Sequence, residues 1–220
     1  MTILKIADIG KIEYKRSLAL QKRLVEARKK KQICDTLLLV EHPGTITLGK
    51  QTNNSDLVDE KFPIFKIDRG GSATYHGPGQ LIGYIIMDLI GKEISISVLV
   101  RKIEKCLIDT LAEYNIESNM ITGKPGVWYE QKKIASIGLA VKKWITYHGF
   151  CLNINTDLEA YDAIKPCGFD SKIMTSLKQL KGKEISEIEV KEKLVKNFTK
   201  IFDYEEIEYQ YNLSSQLKIK

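Results

Sequence analysis

Arg69-Gly70-Gly71-Ser72-Ala73-Thr74-Tyr75-His76-Gly77-Pro78-Gly79-Gln80 sets four glycines, a proline, an arginine and a histidine between two apolar runs. A linker needs no such chemistry. Glycine lets backbone approach a ligand or take positive φ, proline stiffens the bend, and Arg69, Thr74, His76 and Gln80 supply polar contacts. Gly-Gly and Gly-Pro-Gly also make ordinary turns, so two further segments add weight to the reading. These are Lys133-Ile134-Ala135-Ser136-Ile137-Gly138-Leu139, and His148-Gly149-Phe150-Cys151-Leu152-Asn153-Ile154-Asn155 with Lys165-Pro166-Cys167-Gly168 behind it. All three histidines, His42, His76 and His148, abut glycine or proline. The stretch reads as the wall of a binding site.

Outward from it, the pattern predicts the elements. A 3.6-residue apolar rhythm from about Glu13 to Lys31 predicts an amphipathic helix. Thr36 to Val40 reads as a buried strand, Thr45 to Leu48 as a short one, and Phe62 to Asp68 as a strand entering the motif, with His42 in the turn between the first two. Leu81 to Leu89 predicts a central strand, and Ser95 or Ser97 caps a helix running to about Tyr114. Val127 to Asn155 suits a three-strand meander with turns near Gln131-Lys132 and Lys142-Lys143. A short helix at Leu158 to Ile164 and a last one from about Ser186 to Ile201 follow. Helices and strands intersperse without a regular βαβ repeat, so the expected fold class is α+β, a mixed β-sheet covered by helices. With 220 residues, 43% of them hydrophobic, one domain over 1–220 is expected.

Composition narrows the function. No run approaches the roughly 20 apolar residues of a membrane span, and no secretory h-region opens the chain, so a cytoplasmic protein without membrane contact is expected. Cys34, Cys106, Cys151 and Cys167 form no Cys-x-x-Cys pair and read as free thiols. Cys34 and Cys106 fit as small buried residues, whereas Pro166 and Gly168 bracket Cys167 in a loop. The +6 charge, from 29 lysines and five arginines against 28 acids, favours an acidic partner. Arginines and aromatics do not cluster as in a nucleic-acid reader, and no Walker-type loop or metal-ligand spacing is present.

Taken in order, Arg-Gly-Gly-x-x-Thr-x-His-Gly-Pro-Gly-Gln, Lys-Ile-Ala-Ser-Ile-Gly, His-Gly-Phe-x-Leu-Asn-x-Asn-Thr-Asp-Leu and Pro-Cys-Gly resemble the octanoyltransferases of lipoate biosynthesis, from about Glu41 to Gly168. The flanks fit by length and composition alone. The resemblance implies a biotin/lipoate protein ligase catalytic-domain fold with a substrate tunnel. It implies a thioester acyl-enzyme on Cys167, activated by Lys133, which takes octanoyl from octanoyl-acyl carrier protein. The acceptor is a lysine of the lipoyl domains of 2-oxoacid dehydrogenase E2 subunits or of the glycine-cleavage H protein. No cofactor and no metal are implied, and a monomer is the simplest expectation.

Substrate contacts carry over onto Arg69, Gly70, Gly71, Ser72, Ala73, Thr74, Tyr75 and His76, onto Ser136, Ile137 and Gly138, and onto Gly149, Phe150 and Cys151. Arg69 also suits a structural clamp or a carrier contact. Amides near Gly77, Gly138 or Gly168 are candidate oxyanion donors. Two positions depart from the family pattern: Cys151 stands where alanine is frequent and adds a second acylatable thiol, and Gly44 replaces a proline. Lys132 is the decoy for Lys133, and His76 or His148 is the rival base for Cys167, with structural hydrogen bonding the default for both. The alternative functions are an ATP-dependent lipoate or biotin protein ligase, an amidotransferase between carrier proteins with its cysteine elsewhere, and a non-catalytic acyl-carrier-binding module.

Overall fold

A computed structural model describes residues 2–210, without the side chain of Cys167. Its strands are β1 (Ile3–Lys11), β2 (Asp35–Glu41), β3 (Thr45–Leu48), β4 (Ile64–Lys66), β5 (Ala73–His76), β6 (Gln80–Ile86), β7 (Asn119–Ile121), β8 (Lys124–Tyr129), β9 (Lys132–Lys142), β10 (Ile145–Asn153) and β11 (Glu206–Tyr209). The helices are α1 (Tyr14–Lys29), α2 (Ile96–Ala112), α3 (Leu177–Lys181) and α4 (Glu187–Ile201). In the described residues an eight-stranded sheet runs β11-β1-β2-β6-β10-β9-β8-β7, and a three-stranded sheet runs β4-β3-β5. β1 is parallel to both β2 and β11, while β2, β6, β10, β9 and β8 pair antiparallel, so the large sheet is mixed as expected.

The apolar run of β2 is buried on both sides because both faces of the sheet are covered. Leu37 and Leu39 face α2 and α4, packing with Leu99, Ile103, Leu107, Leu194 and Phe198, whereas Leu38 and Val40 face α1 with Leu20, Leu24 and Val25. Burying side chains of this size contributes roughly 1.5–3 kcal/mol each. Ser95 caps α2 by accepting from Val98 N at 3.2 Å, and Ser186 caps α4 by accepting from Glu189 N at 3.4 Å.

Two expectations change. The strand expected over Phe62 to Asp68 shortens to Ile64–Lys66, beginning after Pro63, which has no N–H for the ladder. The short helix at Leu158 to Ile164 is a 3₁₀ segment, Leu158–Ala163. His42 lies in the turn between β2 and β3 as expected, fully buried there, with its ring bonded at both nitrogens. The meander forms as expected, with its second turn at Lys143 and Trp144, both of positive φ as a two-residue hairpin requires.

Candidate active site

The large sheet, the small sheet and the segment 166–169 enclose a cavity of about 610 Å³. Its wall brings together Arg69, Gly70, Gly71, Ser72, Ala73, Thr74, His76, Ser136, Ile137, Gly138, Gly149, Phe150 and Cys151, together with Lys133, Pro166 and Gly168. The side chain of Cys167 lies outside the described residues; its backbone forms the 3₁₀ turn Pro166–Gly168. Tyr75 is not on this wall. Alternation along β5 sends Thr74 and His76 toward the cavity and turns Tyr75 the other way, its ring packing on Phe62 at 5.0 Å and Tyr161 at 5.5 Å.

Lys133 stands near the start of β9 and is 4% exposed, whereas Lys132 is exposed and donates through Nζ to Lys172 O at 2.5 Å. Gly126, at φ +128°, leaves room for Lys133: a Cβ there would meet its Cε at 2.7 Å. The carbonyl of Lys133 accepts from Thr175 N at 3.0 Å, tying the start of β9 to the chain just before α3.

Arg69 acts as a clamp. Its Nη2 donates to Thr47 O at 2.9 Å and Thr47 Oγ1 at 3.0 Å, and Nη1 donates to Gly70 O at 3.0 Å, tying the glycine-rich loop to β3. Gly138 permits this position, since a Cβ there would lie 2.8 Å from Arg69 Cδ and 3.0 Å from Gly70 O.

The histidines are held neutral. A carbonyl can only accept, so His42 Nδ1–H donates to Ile12 O at 2.6 Å and Nε2 accepts from Tyr84 OH at 2.7 Å. His76 Nδ1–H donates to Gln80 Oε1 at 2.8 Å, and Gln80 Nε2 donates to Asn153 Oδ1 at 2.9 Å. Burial depresses both rings, to about 4 for His42 and about 3 for His76. His148 sits mid-strand at φ +57°, a conformation costing roughly 1–3 kcal/mol outside glycine. That geometry brings its ring beside Tyr147, at 4.8 Å, so both residues donate to Asp68: His148 Nε2–H to Oδ1 at 3.3 Å and Tyr147 OH to Oδ2. Burial lowers His148 to about 4 against the opposing pull of Asp68. His76 and His148 both line the cavity with a ring nitrogen already engaged in a hydrogen bond.

Cys151 faces the cavity in register with Ser136. Burial pushes its thiol up, and hydrogen bonding to Ser136 with the charges of Arg69 and Lys133 only partly offsets that. It remains a thiol at neutral pH, a poor nucleophile. Among the oxyanion candidates, Gly168 N–H already donates to Lys165 O at 3.0 Å, Gly77 is not on the wall, and Gly138, which is, lies in a hydrogen-bonded pair with Gly149 of the β9–β10 ladder.

The sequence reading missed Tyr14, Tyr84, Asp68 and Trp128. Tyr14, Tyr84 and Trp128 line the cavity, and Asp68 pins its loop. Asp68 was findable as the neighbour of Arg69, and Trp128 from hairpin register opposite Lys133. Tyr14 and Tyr84 carry no local signal. No helix among the described residues is long and apolar enough to cross a membrane.

A mixed sheet with helices on both faces, bearing a deep cavity walled by a glycine-rich loop, is the architecture of the biotin and lipoate protein ligase catalytic domains. A structure of lipoate-protein ligase A bound with ATP superposes with a TM-score of 0.75 at 16% identity, over 96% of this chain and 88% of that one. Biotin protein ligase from Aquifex aeolicus gives 0.52 at 15% identity, over 92% and 69%. In sequence, residues 13–199 match the lipoyl protein ligase A/B catalytic domain. An octanoyltransferase of Solibacter usitatus is 41% identical over 207 residues, 91% of this chain and 93% of that one. That of Desulforamulus reducens is 38% identical over 208 residues, 91% of each. The chain belongs to the lipoyl protein ligase A/B catalytic-domain family, among its octanoyltransferases, and is an acyltransferase.

Proposed function

We propose that this chain moves an octanoyl group from octanoyl-acyl carrier protein, through a thioester on Cys167, to the lysine of a lipoyl domain. The acceptors are lipoyl domains of 2-oxoacid dehydrogenase E2 subunits and the glycine-cleavage H protein, and the reaction is cytoplasmic. The observation that carries the reading is that Lys133 and both neighbours of Cys167 line one cavity whose wall includes Ile137 and Phe150, suited to an alkyl chain.

In the first half-reaction the Cys167 thiol passes its proton to Lys133 and its sulfur attacks the thioester carbonyl. The carrier thiolate leaves and takes a proton back from Lys133. In the second, the neutral acceptor amine attacks the acyl-enzyme carbonyl, the C–S bond breaks, and the amine's surplus proton passes through Lys133 to the departing Cys167 thiolate. A thiol near its free pKa is only a few per cent ionised at neutral pH, so a buried lysine that takes the thiol's proton is what makes the nucleophile available. Exchange of thioesters is near neutral in energy and amide formation is downhill, so no nucleotide enters.

The test is a purified system of this protein, octanoyl-acyl carrier protein and a lipoyl domain without nucleotide. An amide-linked octanoyl group on the domain's lysine supports the reading. Modification that instead requires ATP and free octanoate contradicts it and selects the ligase class.

A further inference from the structure

The cavity holds a buried aromatic side chain for which the reaction above assigns no role. Trp128 is 2% exposed, and its Nε1–H donates to Lys124 O at 3.2 Å, fixing the ring on its own strand. A register shift between Val127 and Trp128 brings it opposite Lys133, whose ammonium lies 5.3 Å from the ring centroid. The ring also meets Phe169 edge-on, with centroids 6.5 Å apart and planes at 86°. Phe169 closes the Pro166–Gly168 turn by donating its N–H to Pro166 O at 3.1 Å. Lys124 spans the two rings, its ammonium 4.8 Å from the Phe169 centroid and 5.7 Å from that of Trp128.

A lysine taken out of water tends to lose its charge. An indole face offsets that cost by attracting the cation, more strongly than other rings do. Unlike a carboxylate, it has no lone pair to take the proton, so the ammonium is held while its hydrogens stay available for transfer. We propose that Trp128 is a positioning residue for acyl transfer: its face holds the Lys133 ammonium, and its perpendicular contact with Phe169 holds the Pro166–Gly168 turn beside it. The proposal rests on the reading of Lys133 and Cys167 as the catalytic pair.

The test drains the ring of its negative face without changing its shape. In a Trp144→Phe background Trp128 is the sole tryptophan, because the chain has two and Trp144 is 60% exposed. That protein is made with tryptophan carrying increasing numbers of ring fluorines. Two quantities are followed: the ionisation of Lys133 by NMR of ¹³Cε-labelled lysine, assigned with Lys133→Arg, and the pH dependence of single-turnover acyl-enzyme formation. The acid constant of Lys133 is expected to rise stepwise, by about tenfold over the series. The rate profile shifts with it, while the unfolding midpoint stays constant. A Lys133 titration that ignores fluorination overturns the proposal. A titration that moves while the rate profile does not leaves the contact intact and overturns the role of Lys133 in transfer, so the two failures are distinct. Trp128→Phe, which keeps a weaker face, is expected to retain more acylation rate than Trp128→Leu, and equal rates count against the proposal.

Discussion

Arg69 and Thr47 are joined twice by the same guanidinium nitrogen, which donates to the threonine carbonyl at 2.9 Å and to its hydroxyl at 3.0 Å. This couples the glycine-rich loop to the small sheet, so the cavity wall and the fold share one fastening. Lysine at 69 cannot reproduce a planar fork. Arg69→Lys is expected to lower stability by roughly 1–3 kcal/mol, read from urea unfolding, and to raise KM for the acyl donor more than it lowers kcat.

Adjacent lysines on β9 provide a sharp contrast. Lys132→Ala removes an exposed side chain and should leave turnover within about twofold of wild type. Lys133→Ala should slow single-turnover acylation by on the order of 10²-fold or more, as expected for loss of a proton-transfer group. Comparable rates for the two variants would remove Lys133 from the reaction.

The buried thiol of Cys151 is held protonated by its surroundings. Iodoacetamide at neutral pH should therefore leave Cys151 unmodified in the folded protein, by peptide mass spectrometry, and Cys151→Ala should keep most of the transfer activity. Loss of all activity in that variant would make Cys151 the acylated residue.

The three histidines make stability depend on pH. Their folded values, about 4, 3 and 4 for His42, His76 and His148, lie below the ordinary 6.5, so the unfolded chain binds protons that the folded chain refuses. Stability is full above pH 6.5 and falls as the pH drops through the window toward 4. Thermal unfolding between pH 7 and 5 should show a decreasing Tm and an uptake approaching about three protons. His42→Gln should reduce that uptake by about one. A Tm independent of pH over this range would mean that the rings take up protons in the fold as readily as in the unfolded chain.

Much of this architecture is legible in the sequence, because the strands that carry the site lie in the interior. β2 and β6 read as apolar runs since both of their faces are covered, and α2 and α4 announce themselves through Ser95 and Ser186. The sheet's outer strands were missed. β1 carries a bulge between Asp8 and Gly10 that breaks its alternation, and β11 pairs with it from about 200 positions away along the chain. β7 has three residues, none of them buried, so it leaves no apolar signature. Within the site, the motifs located Lys133 and the glycine-rich wall, but one-residue alternation decided Tyr75, and tertiary packing alone brings Tyr14 and Tyr84 to the cavity.

The most direct test of covalent transfer at Cys167 is intact-protein mass spectrometry after brief mixing with octanoyl-acyl carrier protein, without nucleotide, on wild type and Cys167→Ser. A hydroxylamine-labile octanoyl adduct on wild type, absent from the variant, is the expected result. An adduct that survives in Cys167→Ser, or wild-type turnover with no adduct at any time, would contradict it.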